Sequence, residues 1–316
     1  MELVSILTLV TVSPASDIVV LDEQAVRARL HYQDLIPAIA QALAALSSGR
    51  VVQPVRMVLP VAAHHGFLGV MPAYADGGAL GAKLVTFYAQ NVGIHTHHAV
   101  IVLFKAETGE PLAMMDGRLI TEMRTAAASA VATQRLARAG GDASVLAILG
   151  SGVQAKSHLA ALRLVRSFTE VRVWSPRNAP AFAQRHGVKA VATAADAVRG
   201  ADVVVVATSA TTPVLQGRWL SSGTHVNAVG ATRPDWRELD DDLVTRARVF
   251  VDSREAALRE SGDVIASRSE VIEIGAVVAG ADPGRRSAEE ITLFKSVGVA
   301  VEDVATAALV LQQKAG

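Results

Sequence analysis

The chain has 316 residues, with Lys+Arg and Asp+Glu both at 30 and no cysteine. Balanced charge gives no basic field for nucleic acid and no acidic tail, and the absence of thiols excludes disulfides, thiolate catalysis and Cys-ligated zinc. The length is enough for two domains and a large core. The hydrophobic fraction of 51% comes largely from Ala and Val. Its apolar runs, such as 203–207, are short and fall well below the roughly 18 residues of a membrane span. Residues 1–16 are apolar but carry no Lys or Arg, so they lack the positive start of a secretory signal. They read equally as an edge strand or a loose extension. The expectation is a cytoplasmic protein with neither membrane nor nucleic-acid partners.

In chain order, residues 17–22 read as a short strand. Residues 34–48 read as a helix, with Asp34 as N-cap, Pro37 in the first turn and Gly49 as the stop. Strand-like runs follow at 55–59, 67–71, 81–88, 98–105 and 111–115. Asp76-Gly77-Gly78 and Thr108-Gly109-Glu110 supply turns between them. Many strands with few helices suggest a separate α+β domain with a mixed or antiparallel sheet. Residues 121–139 form a long Ala-rich helix ending at Gly140-Gly141. Strands and helices then alternate to about residue 291, and a last helix covers 300–314.

Residues 143–149 read as an apolar strand, and residues 156–165 carry helical spacing. Between them lies Gly150-Ser151-Gly152-Val153-Gln154-Ala155, a G-x-G-x-x-A turn that opens a dinucleotide-binding unit. Gly150 allows the sharp turn, Gly152 admits a pyrophosphate to the backbone, and Ala155 lets the helix pack closely on the sheet. The phosphates then meet free N–H groups at the positive helix end. Further strands at 171–174 and 202–208 continue the unit. A serine nucleophile elbow is excluded, because Leu149 and Val153 stand where glycines are required. The second strand ends Val173-Trp174-Ser175-Pro176-Arg177-Asn178, with no acid to hold a ribose 2′-hydroxyl. Ser175 and Arg177 instead suit a 2′-phosphate, so NADP(H) is expected over NAD(H).

Arg56, Lys83 and Arg124 stand out in the first part of the chain. Taken singly, each reads more readily as a surface cation lying over apolar neighbours than as a site residue. Lys83 fits that least well, flanked as it is by Ala82 and Leu84 in a strand. His95, His97 and His98 have a spacing that suggests a metal, but no carboxylate accompanies them and none is assigned. Asp235 and Glu238 follow the strand at 224–229, at the strand end where open parallel sheets bind ligands; an ion pair with a neighbouring Arg is the alternative.

The sequence resembles the ornithine cyclodeaminase/mu-crystallin family, and within it the ketimine reductase branch. The likeness rests on Arg124-Thr125-Ala126-Ala127, the Gly150 hexapeptide, Asn227-Ala228-Val229-Gly230-Ala231 and Arg233-Pro234-Asp235-Trp236-Arg237-Glu238-Leu239-Asp240. Glu260-Ser261-Gly262-Asp263, Phe294-Lys295-Ser296 and Val301-Glu302-Asp303 extend it. It spans nearly the whole chain after about Asp17. It implies a Rossmann-type doubly wound cofactor domain at 124–294. It also implies a smaller α+β domain at 1–123 with 295–316, which binds substrate and forms a homodimer. Arg56, Lys83 and Arg124 would face a substrate α-carboxylate, with Thr232 beside them. Lys83 and Asp235 are the catalytic candidates, Asp235 or an ordered water handling the proton. Cofactor contacts are expected from Thr96, His97, Arg124, Thr125, Gly150, Ser151, Gly152, Val153, Gln154, Ser175, Arg177, Thr208, Ser209, Val229 and Ser296.

One departure bears on activity. The cyclodeaminase branch carries a catalytic Asp two residues after the glycine matching Gly230, and here that position is Thr232. Deamination needs a carboxylate to steer water and protons, whereas imine reduction mainly needs orientation of the reactants. The expectation is an NAD(P)H-dependent reductase of cyclic ketimines such as pyrroline- or piperideine-2-carboxylate. A cyclodeaminase or amino-acid dehydrogenase of the same family, and a non-catalytic binding protein, are the alternatives.

Overall fold

The computed structural model describes residues 18–139 and 144–313. The readings at 1–17, the Gly140-Gly141 stop, Ala143 and Lys314 lie outside them. The first part of the chain holds β1 (Val19–Leu21), α1 (Glu23–Arg27), α2 (Tyr32–Ser47), β2 (Val51–Val52), β3 (Met57–Val61), β4 (Gly66–Ala75), β5 (Leu80–Tyr88), β6 (His97–Phe104) and β7 (Pro111–Asp116). These strands form one sheet in the order β1-β7-β6-β5-β4-β2, with β3 also on β4. All its pairings are antiparallel except β1 with β7.

Period-two alternation gives this sheet two unlike faces. Met71, Val85, Ile101, Leu103 and Met115 are buried on one. On the other, Met57, Leu84, Val100, Met114 and Val20 are exposed. Cross-strand register puts Met57 opposite Val70, Val70 opposite Leu84 and Leu84 opposite Val100. Val20 likewise lies opposite Met114. The outer face is therefore a continuous apolar surface.

Next comes α3 (Gly117–Leu136), whose N-terminus is capped by Asp116 accepting from the Leu119 N–H at 2.9 Å. This cap starts the helix earlier than the expected residue 121. The alanines Ala126, Ala127, Ala128, Ala130 and Ala132 are wholly buried, and their small size lets α3 pack on α2 and on the helix that follows. The helix expected at 34–48 begins instead at Tyr32, with His31 as N-cap. Asp34 lies in its first turn, where its charge still complements the helix dipole. Pro37 lies inside the helix, held there by the buried side chains of Leu35, Ile36 and Ile39.

The remaining elements are β8 (Val145–Leu149), α4 (Val153–Val165), β9 (Glu170–Trp174), α5 (Ala179–His186), β10 (Lys189–Ala190), α6 (Ala194–Val198), β11 (Val203–Val206), β12 (His225–Ala228), α7 (Asp241–Arg246), β13 (Arg248–Val251), α8 (Arg254–Glu260), α9 (Gly262–Ser267), β14 (Val271–Glu273), α10 (Ile274–Val278), β15 (Thr292–Lys295) and α11 (Ala300–Gln312). The strands form a second sheet, wholly parallel, in the order β10-β9-β8-β11-β12-β15-β13-β14. Every residue of β11, β12 and β15 is buried, as a parallel sheet covered on both faces requires. The strand order reverses between β8 and β11, the crevice where such sheets bind dinucleotides.

Two features set the active region. Helix α3 packs against α4 and β12 as well as α2 and β6, so it ties the two sheets together. Helix α11 leaves the second sheet after β15 and packs on α2, β4, β5 and β6. The C-terminal helix is thereby placed on the inner face of the first sheet. Among the described residues, no helix is long and apolar enough to cross a membrane.

Candidate active site

The glycine turn sits at the carboxyl end of β8. The Gly150 N–H donates to the Trp174 carbonyl at 2.8 Å. Gly150 has φ +120°, and a Cβ there would run into the Ala207 carbonyl oxygen. Only glycine serves there. Gly152 is the N-cap of α4 and supplies no side-chain cap, and a Cβ on it would meet nothing within 4 Å. The start of this 13-residue helix therefore has no side-chain cap and has room beside Gly152, which fits a bound pyrophosphate. Ala155 is fully buried under the helix. Beyond β9, Ser175 Oγ accepts from Ser151 Oγ at 2.9 Å and from the Asn178 N–H at 3.2 Å. Arg177 is exposed and meets no acidic partner among the described residues. Thr208 and Ser209 follow β11, Ser209 exposed and Thr208 half-buried.

Between the two sheets lies a cleft of about 330 Å³, within the size range of small-molecule sites. Of the expected site residues, Arg56, Lys83, His97, Arg124, Thr125, Gln154, Val229, Thr232 and Ser296 line it. Thr96 and Val153 line an adjoining depression that shares His97 and Gln154. The three cations read singly from the sequence therefore meet in one place, beside the ends of α4 and β12.

A single carboxylate assembles them. Asp303, in the first turn of α11, is 0% exposed. It lies 2.5 Å from Lys83 Nζ and accepts from Arg124 Nε at 2.9 Å. Glu302 accepts from Arg124 Nη1 at 2.7 Å. The chain passes so close to this guanidinium that a Cβ on Gly298, at φ +78°, would lie 2.6 Å from Arg124 Nη2. Gly298 and Val297 are held from below by Asp252, whose Oδ2 accepts both N–H groups and the Ser296 hydroxyl. Arg56 enters from the loop after β2. It donates to Glu260 at 2.8 Å and to the carbonyls of Val297 and Gly298 at 2.6 and 2.8 Å.

Burial brings the Lys83 ammonium down to about 8; Asp303 opposes this and Arg124 adds to it. Lys83 is thus charged at neutral pH but holds its proton loosely. Burial raises Glu302 to about 8, against the pull of Arg124. Burial would also raise Asp303, but Arg124 and Lys83 outweigh it and hold the group below the usual carboxylate range. Asp303 therefore carries the negative charge of the cluster. His97 is lowered to about 4 by burial, then by Lys83 and Arg124, and is neutral at physiological pH.

The opposite wall is aromatic. The Arg233 guanidinium stacks against Trp236 at 4.6 Å, Phe67 at 5.1 Å and Phe87 at 5.7 Å from the ring centroids. Met71 and Val85 complete the apolar lining.

Sequence reading missed Asp303, Glu302, Arg233 and these rings as parts of the site. Two acids among apolar residues at the start of the last helix were the available signal for the first pair. Asp235, read as a proton donor, is not brought to the cleft. It takes the outer corner of a turn closed by the Trp236 N–H on the Arg233 carbonyl, and it is exposed. Its neighbours Arg233 and Trp236 line the cleft instead. Glu238 is fully buried beneath the same loop.

The doubly wound sheet, its open glycine turn and a cation-lined cleft facing that turn define a dinucleotide-binding two-sheet protein. The chain belongs to the ornithine cyclodeaminase/mu-crystallin family, whose model matches residues 16–316. It is 51% identical over 287 residues to the ketimine reductase mu-crystallin of Mus musculus, covering 87% of this chain and 90% of that protein. The structure of Thermococcus litoralis Δ1-pyrroline-2-carboxylate reductase, in complex with NADH and L-proline, superposes with a TM-score of 0.87. It shares 37% identity and covers 93% of this chain and 97% of its own. An archaeal alanine dehydrogenase dimer with bound NAD gives 0.87 at 34% identity, covering 93% and 95%.

Asp303→Asn should leave two buried cations without their shared counter-ion. Removing one member of such a group costs about 3–5 kcal/mol, read as a lower urea midpoint at unchanged slope. A midpoint equal to that of the wild type would contradict the role given to Asp303.

Proposed function

We propose that this protein is an NAD(P)H-dependent reductase of cyclic ketimines, converting pyrroline-2-carboxylate or piperideine-2-carboxylate to the cyclic amino acid. The observation that carries the reading is the convergence of Lys83 and Arg124 on buried Asp303, with both facing a cleft that adjoins the dinucleotide turn. A planar fork and a point charge held at fixed separation suit one carboxylate. Arg56, at the same wall, adds a third positive charge. The methylene carbons of the ring then face Phe67, Phe87, Met71 and Val85.

A bound reduced nicotinamide dinucleotide supplies the hydride to the imine carbon. The chain's part is to hold that carbon still, exclude water and provide the proton at nitrogen. Lys83 is assigned that proton, which its loosened Nζ–H can give and regain from solvent. Thr232, where the cyclodeaminase branch carries Asp, offers no carboxylate for steering water. The relatives' ligands, NADH in one and NAD in the other, support a nicotinamide cofactor. The finer preference for NADP(H) rests on Ser175 and exposed Arg177 at the end of β9, where the sequence places no acid to repel a 2′-phosphate.

A division of labour belongs to the same reading. Residues 1–123 with 295–316 take substrate and contact a second copy, and residues 124–294 take the dinucleotide. The exposed apolar face of the first sheet supports a homodimer, because monomers rarely leave so wide an apolar surface to water. A cytoplasmic location accords with a cysteine-free chain, and cell fractionation tests it.

Purified protein should oxidise NADPH in the presence of pyrroline-2-carboxylate or piperideine-2-carboxylate and release no ammonia from ornithine. Arg124→Ala should lower kcat/KM at least tenfold, the loss of one charged hydrogen bond of about 1.5–3 kcal/mol, while NADPH affinity changes much less. Ammonia release from ornithine without imine reduction would replace this reading with the cyclodeaminase one.

The Lys83 ammonium gives a pH signature. Its charge is present below about 8 and lost above it. Binding of pyrrole-2-carboxylate, whose own charge is constant from pH 6 to 10, should weaken as pH rises through that value. Lys83→Met should abolish the step. A flat profile in the wild type would count against Lys83 as a carboxylate anchor.

For the cofactor, the ratio of kcat/KM with NADPH to that with NADH should exceed one and fall about tenfold or more in Arg177→Ala. Equal use of both cofactors, unmoved by the substitution, would refute the preference.

A further inference from the structure

A second buried charge cluster lies just outside the cleft and has no part in the steps above. Lys295, at the end of β15, Glu238 and Asp263 are all 0% exposed. Lys295 Nζ stands 3.1 Å from Asp263 Oδ2 and 3.9 Å from Glu238 Oε2, and it donates to the Gly230 carbonyl. Asp263 Oδ1 accepts from the N–H groups of Glu238 and Leu239, each at 3.0 Å. Arg237 Nε lies 3.9 Å from the same oxygen. Buried ion clusters of this kind stabilise little compared with apolar packing, so their use is to be sought in what they hold.

What they hold is the pair of strand ends beside the cleft. Glu238 Oε1 accepts from the Thr208 N–H at 2.8 Å and from the Thr208 hydroxyl at 2.6 Å. A Cβ on Gly230 would run into both this carboxylate and the Thr208 carbonyl. One carboxylate therefore binds Thr208, two residues beyond β11, and packs against Gly230, two residues beyond β12. The loop beyond, with Ala231 at φ +50°, carries Thr232, Arg233 and Trp236 into the cleft. A non-glycine residue keeps such a φ only where its surroundings enforce it.

The direction of the dinucleotide gives this pair its meaning. Ser175 and Arg177 mark the adenosine side, at β9. The other half must then run from the Gly150 turn across the ends of β11 and β12 toward Val229, which lines the cleft. We propose, resting on the reductase reading, that Glu238 is a positioning residue for the nicotinamide half of the cofactor. It acts by clamping Thr208 to the Gly230 turn, and Lys295 and Asp263 hold it in place.

The test compares NADPH with 2′-phospho-ADP-ribose, which has the same adenosine and diphosphate but no nicotinamide. Glu238→Gln keeps the shape and the acceptor but replaces charge-assisted bonds with neutral ones. It should raise the NADPH Kd about tenfold and lower kcat with saturating cofactor, while the Kd for 2′-phospho-ADP-ribose stays within twofold. Thr208→Val leaves the buried cluster intact and removes one donor. It should move the same quantities in the same direction, which keeps the test open if Glu238→Gln folds poorly. Loss of affinity for both ligands alike, or NADPH affinity and kcat within twofold of the wild type in both variants, would overturn the proposal. Wild-type protein that neither binds NADPH nor reduces a cyclic imine would instead overturn the reductase reading.

Discussion

The Asp303 carboxylate is the contact on which the site depends. It comes from the first turn of the last helix and reaches Lys83 on a central strand of the first sheet and Arg124 on α3. Three elements far apart in sequence are thereby joined at one buried point. Each cation is almost wholly buried at the edge of the cleft and would be unstable there alone. Held by one counter-ion, both keep their charge and have their positions set before any ligand arrives. Charges fixed in place beforehand need no reorganisation when an anion arrives. The arrangement is also asymmetric in a useful way. Arg124 is firmly charged, with Asp303 first among the groups that outweigh burial, while Lys83 holds its proton loosely.

The fold exists to bring that point opposite the dinucleotide turn. The parallel sheet sets the turn at the end of β8, and α3 runs from the first sheet across to the second. Arg124 lies on this helix, so the anchor and the cofactor-binding scaffold share one rigid element. The chain then leaves β15 through Ser296, Val297 and Gly298, held by Asp252, and enters α11. A close approach of Gly298 to Arg124 completes the cleft floor. Two buried charge clusters flank this path. One, at Asp303, holds the cations that line the cleft; the other, at Lys295, lies against the neighbouring strand ends.

Much of this was legible in the sequence. The strand, glycine turn and helix at 143–165 carry a local pattern whose meaning is fixed by backbone geometry at Gly150 and open space at Gly152. The antiparallel strands of the first sheet announce themselves by alternation and turns, although β4 runs well past the expected residue 71 and through Pro72. The cations Arg56, Lys83 and Arg124 could be named, but their convergence could not be derived from spacing alone, because they lie on a loop, a strand and a helix. Only resemblance to a family joined them. Asp303 was hidden for the same reason: nothing local tells whether an acid in a helix's first turn caps that helix or reaches across to a partner 179 or 220 positions away. Asp235 shows the converse. Its position just past a strand end is where ligands bind, yet the turn sets it outward and brings Arg233 and Trp236 inward. Loop residues adjacent in sequence can face opposite ways, and the pattern of residue types does not say which.

The most direct test of the account is a crystal structure of the protein with NADP+ and L-proline, the product pair of the assigned reaction. The proline carboxylate should lie within hydrogen-bonding distance of both Arg124 and Lys83. Its α-carbon should face the nicotinamide, and the Asp303 contacts should be unchanged. A carboxylate bound elsewhere, with Lys83 and Arg124 still satisfied by Asp303 alone, would contradict the account.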